Sequence, residues 1–262
     1  NILVDNDKCW NLNIVRRLIP YLKNNNISVD HIWILPNKLS NLKGTRISFW
    51  YLKTFGILVF LKLSIFYLLT LSYNLFNKIN NFKDLALKHD IKYDYINSTN
   101  NKYLIKNINN NKKRISLLIT NHILKKELIN IKKHLFINKH SSLLPSYKGL
   151  MPYIWTKIDN KVNGITFHLV NEKIDNGKII YQKKIKTKFN SMIEFYLDVY
   201  DKFPVYFLKA LKNLKQKKFI KSEINKSYYS IPNRKDYSNF LEKKGKVILF
   251  SNFFKIYKLV KV

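Results

Sequence analysis

The chain has 262 residues, 46% hydrophobic and 15% aromatic, enough for one sizeable core with a smaller appendage, and its six Gly and six Pro exclude a fibrous or low-complexity chain. With 48 Lys and Arg against 16 Asp and Glu, the formal charge is +32, a field that attracts tRNA, anionic lipid or a nucleotide-linked substrate. The excess is Lys scattered among Asn and Ile with no Arg-rich block, which fits a solvated surface and names no specific site.

Ile2–Val4 is a short apolar run, read as the first strand; Asp5, Asp7 and Lys8 interrupt it, so no cleavable signal peptide is expected. The single cysteine, Cys9, excludes a disulfide within the chain and fits a reducing cytoplasm as the compartment. Trp10, Ile14, Val15, Leu18, Ile19 and Leu22 recur at helical spacing, and Val29–Leu35 reads as a second strand stopped by Pro36. From Phe55 to Phe76 the only charge is Lys62, and the stretch is long enough to span a bilayer. Its Ser64, Thr70, Ser72 and Asn74, and its place between soluble-looking elements, favour a helix that packs on the protein or lies at a membrane surface.

Tyr93–Ile96 is a weak strand pattern, whereas Ile115–Ile119 (ISLLI) has the unbroken apolar character of a strand buried on both faces. Leu124–Ile131 has helical periodicity and Leu135–Asn138 reads as a strand. Gly164–Val170 and Lys178–Ile185 alternate as strands around a turn at Asn176-Gly177. Met192–Leu214 is read as one long helix, and Val247–Val262 as a terminal hairpin. Strands alternating with helices predict an α/β fold, a mainly parallel sheet flanked by helices. The expected main domain is 1–188, with a helix-plus-hairpin extension over 189–262.

Two segments can carry chemistry. In Phe136–Gly149 (FINKHSSLLPSYKG) the chain leaves a strand with Asn138 and His140 two residues apart, and so on one face. A carboxamide can donate to an oxygen that becomes negative, and an imidazole can donate beside it or move a proton; Asn-x-His at a strand end is otherwise a capping feature. In Gly164–Gly177 (GITFHLVNEKIDNG) an apolar strand runs into Asp175-Asn176-Gly177, which taken alone is ordinary turn chemistry.

Taken together, Asn138, His140, Ser142, Leu143-Leu144-Pro145, Tyr147-Lys148-Gly149, Gly164-Ile165-Thr166, His168, Ile174-Asp175 and Gly177 resemble the signature of the formyltransferase family in order and spacing. The resemblance runs over Ile115–Ile185. It implies a Rossmann-like fold and transfer of a formyl group from 10-formyltetrahydrofolate to an amine, without a metal. It implies that Asn138 and His140 donate to the developing oxyanion while Asp175 orients His140 and relays the amine proton. It places the folate pocket at Thr120, Ile123, Leu124, Ile174, Asn176 and Gly177. His168 has the alternating position of a strand side chain and is read as packing, with a supporting role behind the catalytic residues as the alternative. Three positions depart from the family's usual residues, namely His122, Lys139 and Ser141, and bear on the shape of the folate pocket.

The family's acceptors include glycinamide ribonucleotide, initiator methionyl-tRNA and nucleotide-linked amino sugars. Asp5-Asn6-Asp7-Lys8 after the first strand is no glycine-rich phosphate loop, which counts against the first. About 70 residues follow the main domain, opening on a helix, fewer than the barrel-like domain of the tRNA enzymes, and SYYSIPNRKDYSNFLEKKG resembles the tail of stand-alone formyltransferase-like proteins. The expected acceptor is therefore a small molecule, an amino sugar on a nucleotide, with tRNA the alternative that the charge keeps open. A reading of another class is a non-catalytic or membrane-associated binding protein that has kept the fold. Composition and motifs leave the oligomeric state open.

Overall fold

The structure, a computed structural model, describes residues 1–111, 114–222 and 226–260. The first half alternates as expected: β1 (Ile2–Asp5), α1 (Asn11–Lys23), β2 (His31–Leu35), a small hairpin β3 (Lys38–Leu39) and β4 (Leu42–Lys43), then α2 (Thr45–Phe55), α3 (Ile57–Phe76) and α4 (Phe82–Lys88). β5 (Lys92–Tyr95), α5 (Lys102–Asn110), β6 (Ile115–Ile119), α6 (Lys126–Ile129), β7 (Leu135–His140), β8 (Lys148–Gly149) and α7 (Pro152–Ile158) follow. The chain then forms β9 (Asn163–Leu169), β10 (Ile179–Ile185), α8 (Met192–Asp201), α9 (Phe203–Lys215), β11 (Tyr228–Tyr229), α10 (Arg234–Glu242), a 3-10 turn over Phe250–Lys255 and α11 (Tyr257–Val260).

Seven strands make one sheet in the order β10-β9-β7-β6-β1-β2-β5. β5, β2, β1, β6 and β7 run parallel, while β9 lies antiparallel to β7 and to β10. Period-two alternation explains the unbroken apolar strands. Ile2, Val4, Ile32, Ile34, Leu117, Ile119 and Ile137 face one cluster, which includes Leu12, Val15 and Leu18 of α1 and Phe203 and Phe207 of α9. Leu3, Trp33, Leu35, Leu118 and Phe136 face the other, with Leu104 and Ile108 of α5 and Leu128 of α6. Both faces are therefore covered, as a parallel sheet requires.

Three expectations need correction. The helical pattern over Leu124–Ile131 is realised as a single turn, because residues 120–125 form a loop at the sheet's carboxyl edge. The long helix over Met192–Leu214 is two helices meeting at Lys202, where Pro204 occupies the first turn of α9 and cannot continue the preceding hydrogen-bond ladder. The terminal hairpin is instead the 3-10 turn and α11; its last two positions, 261–262, lie outside the described residues. Here the buried Asn252 accepts the Leu249 N–H and the Ser191 hydroxyl, turning the chain back on α8. Residues beyond 188 also share the main core, since Val199, Phe203, Phe240 and Val247 pack in the cluster that contains β1.

Candidate active site

β7 ends at the carboxyl edge of the parallel strands, and its last residues, Asn138 and His140, face β9 across an antiparallel ladder that sets Asn138 opposite His168 and His140 opposite Thr166. The loop after β9 brings Asp175 back over this edge. Its turn depends on Gly177, where a Cβ would fall 1.6 Å from the Leu169 carbonyl oxygen. Asn138, His140 and Asp175 therefore meet although 37 residues separate the first from the last.

Asp175 is the hub. Its Oδ2 accepts the Gly149 N–H at 2.9 Å and lies 3.5 Å from His140 Nδ1; its Oδ1 lies 3.5 Å from His168 Nε2 and accepts an Asn138 Nδ2–H at 3.4 Å. Burial pushes the carboxyl up, but the two imidazoles and the Gly149 N–H outweigh it, and Asp175 is held well below the usual carboxylate range. His140 is buried, and burial lowers its pKa against the pull of Asp175 and of the Tyr147 carbonyl. Its Nε2–H donates to Tyr147 O at 2.6 Å.

The ring of His140 thus has one nitrogen on a carbonyl and the other toward a carboxylate. In this geometry it offers no N–H to an oxygen in the pocket, and Nδ1, the nitrogen toward Asp175, is the one that can take a proton. Asn138 spends one amide N–H on Asp175 and has a second for a ligand oxygen.

His168, expected to pack or to play a supporting role, does the latter. The structure makes it a second imidazole on Asp175, its Nδ1–H donating to Leu169 O at 2.9 Å. The signal available in the sequence was its place on β9 opposite Asn138, visible only once the strand register is known. The C-terminal strap was missed. β11 pairs in parallel with β8, Lys148 N–H donates to Ser227 O, Leu150 N–H to Tyr229 O and Tyr147 N–H to Ser227 Oγ. Tyr229 stacks on Tyr147 and Trp155, and both tyrosine hydroxyls donate to Asp159 Oδ2. The strap therefore clamps the loop whose Gly149 N–H and Tyr147 carbonyl serve Asp175 and His140, and it brings Tyr228 to the mouth of the pocket.

The pocket is an open cleft of about 380 Å³ that reaches from Asn138, His140 and Asp175 past Thr120, Ile123, Leu124 and Ile174 to Lys38 and Asn41 of the β3–β4 hairpin. Of the residues expected to bind the donor, Thr120, Ile123, Leu124 and Ile174 line it. Asn176 and Gly177 do not: Asn176 Oδ1 accepts from Lys148 Nζ at 2.5 Å, and Gly177 packs on Leu169, so both shape the loop that presents Asp175.

The departures are accommodated locally. Lys139 Nζ donates to Ser141 Oγ and Tyr200 OH, so two of them partner each other, and His122 Nε2 donates to Pro36 O at 2.9 Å. Beneath the pocket, Asp5 accepts the Thr120 hydroxyl and the Asn121 N–H; burial pushes its carboxyl up to about 7 against those two hydrogen bonds.

A mainly parallel α/β sheet brings an amide, an imidazole and a buried carboxylate together on a cleft at its carboxyl edge, a set of groups that suits acyl-group chemistry. Residues 98–197 match the family model described as Formyl transferase. Over 64 residues, 24% of this chain, the sequence is 45% identical to a methionyl-tRNA formyltransferase of Thermodesulfovibrio yellowstonii, and the match spans 21% of that relative's length. A sugar N-formyltransferase from a Shewanella species superposes with a TM-score of 0.56 at 17% identity, covering 92% of this chain and 86% of the other. An N-formyltransferase from Helicobacter canadensis, solved in complex with folinic acid and dTDP-3-aminofucose, superposes with a TM-score of 0.54 at 18% identity, covering 90% and 71%. At these identities the superpositions establish the formyltransferase fold.

Proposed function

We propose that the protein transfers a formyl group from 10-formyltetrahydrofolate to a primary amine, and that the amine belongs to a nucleotide-linked amino sugar. The observation that carries the reading is the convergence of Asn138, His140 and Asp175 within 3.5 Å contacts on the wall of one cleft. The cleft suits a folate: Leu118, Ile123, Leu124 and Val170 offer an apolar wall for a flat ring beside the polar cluster. The donor, when bound, supplies the formyl carbon and an oxygen that gains negative charge as the amine adds.

On the protein side, the free N–H of Asn138 donates to that oxygen, an interaction typically worth about 3–4 kcal/mol of barrier in an acyl-transfer site. Asp175, kept ionised by its neighbours, stabilises a proton on His140 once it arrives from the amine; the proton then goes to the folate nitrogen as the bond from that nitrogen to the formyl carbon breaks, and the Tyr147 carbonyl fixes the ring's orientation. His168 holds the far side of the carboxylate. The expected compartment is the cytoplasm.

The amino-sugar acceptor is supported by the overall likeness to sugar N-formyltransferases across nine-tenths of the chain. The second reading, methionyl-tRNA as acceptor, is favoured by the 45% identical stretch and by the +32 charge. Labelled formyl transfer to charged initiator tRNA and to a panel of amino-sugar nucleotides separates them. Label on a sugar nucleotide, with weak salt dependence, is the expected result. Label on tRNA alone, with affinity falling by orders of magnitude between about 50 and 200 mM salt, establishes the second reading. A reading without turnover is excluded by either product.

A further inference from the structure

α3 is anchored on one side and bare on the other. Its inner face carries Phe66, which is buried and stacked on Trp10 at 5.6 Å, and Asn74, whose amide donates to Lys8 O at 2.9 Å. Thr70 is buried beside them, its hydroxyl satisfied by Phe66 O one turn back. Its outer face runs Leu58, Leu61, Ile65, Leu68 and Leu75 at helical spacing to Phe76, all exposed, with Leu58 at 72% and Phe76 at 85%. The helix has 20 residues, about 30 Å of apolar surface at 1.5 Å per residue, far more than the scattered exposed leucines of an ordinary surface.

A second segment, distant in sequence, extends this surface. The 3-10 turn Phe250–Lys255 sits against α3 through Phe253, whose ring lies 6.4 Å from that of Phe66, and its neighbours Phe250 and Phe254 are exposed, as is Tyr257 of α11. Leucines along a helix with aromatic rings at one margin match the composition that partitions into a lipid–water interface.

Two further observations choose the occupant. Between Asp30 and Asp84 the sequence has no acidic residue, whereas Lys53, Lys62 and Lys78, at the end of α2, on α3 and just after it, are all exposed. A second copy brought face to face would set these cations against their own kind, while an anionic surface complements them. Topology excludes a crossing: β2 before α3 and β5 after it are hydrogen-bonded neighbours in one sheet, and a spanning helix would place them on opposite sides of the bilayer.

We propose that the outer face of α3, with Phe250, Phe254 and Tyr257, is a docking surface by which the protein lies on an anionic membrane, α3 parallel to the lipid surface. The inference is independent of the formyl-transfer reading, and its test reads binding alone. The full chain is floated with vesicles of phosphatidylcholine alone and of phosphatidylcholine with about a third phosphatidylglycerol. Binding at least about tenfold stronger to the anionic vesicles, weakened by raising the salt, is expected.

Leu61→Glu/Leu68→Glu, at exposed positions that leave the inner face untouched, lowers that binding at least about tenfold with the circular dichroism spectrum and thermal midpoint retained. Lys53→Glu/Lys62→Glu lowers anionic binding and leaves the weak binding to phosphatidylcholine alone unchanged. Light scattering on the lipid-free protein supplies the competing outcome. A dimer that Leu61→Glu/Leu68→Glu dissociates assigns the face to a second copy and overturns the proposal, and so does a monomer that floats with neither vesicle.

Discussion

Gly149→Ala tests how the loop that holds Asp175 is fixed. The residue has φ +96, a conformation that alanine strains to adopt at a cost of about 1–2 kcal/mol. A Cβ there would lie 2.0 Å from the Tyr229 carbonyl oxygen and 3.0 Å from its carbon, so β8 and β11 must part by more than an ångström. The displacement breaks the Lys148-to-Ser227 and Leu150-to-Tyr229 hydrogen bonds, each typically worth about 1 kcal/mol. It also pulls the Gly149 N–H away from Asp175, a bond to a charged group worth about 1.5–3 kcal/mol. The expected loss is about 4.5–7 kcal/mol, a large part of the stability of an ordinary domain.

Because Asp175 has a depressed pKa in the folded state, its contribution to stability is present above the unfolded value of 3.8 and is lost as pH falls through the folded value. Removing one of its donors shrinks that pH-dependent part. Urea unfolding at neutral pH and at about pH 3 measures both quantities. A variant within about 1 kcal/mol of the parent, with the same acid dependence, would refute the claim that the strap and Gly149 hold Asp175.

Asp5 should show the opposite sign. Its folded pKa of about 7 lies above 3.8, so the folded state keeps a proton that the unfolded chain releases, and the contribution of Asp5 to stability falls as pH rises from about 4 to 7, by up to about 4 kcal/mol. Asp5→Asn removes this contribution, so the stability difference between variant and parent, from urea unfolding, should change by up to about 4 kcal/mol across that window; a constant difference would show that Asp5 does not titrate there. Phe66→Ala should cost about 3–5 kcal/mol because the ring is buried against Trp10, whereas Leu68→Ser on the outer face should stay within about 0.5 kcal/mol. Thermal unfolding of the pair compares them, and equal losses would contradict the two-faced reading of α3.

What could be read from residues alone was whatever depends on local period and on ordered motifs. ISLLI announced a strand buried on both faces, and the ordered motifs around Asn138, His140 and Asp175 carried the resemblance to the formyltransferase family. Contacts between distant segments were not legible. Nothing local to SYYSIP shows that Tyr228 and Tyr229 pair with Lys148 and Gly149, because such pairing is a property of the folded chain. The choice between packing and support for His168 stayed open for the same reason: its role depends on the register of β9 against β7. The terminal segment misled because alternating aromatic and Lys residues mimic a strand, while Asn252, buried against Ser191, sets the turn.

The central claim is that Asn138, His140 and Asp175 act together on a formyl group. Its most direct test is single-turnover transfer of labelled formyl from 10-formyltetrahydrofolate to the accepting amine by the parent, His140→Ala and Asp175→Ala, with folate affinity measured alongside. The account predicts that each substitution slows the transfer step by about 10²–10³-fold while folate affinity stays within about threefold, since the lost interactions act on charge present only in the transition state. Either variant turning over at the parental rate with the same acceptor would contradict it.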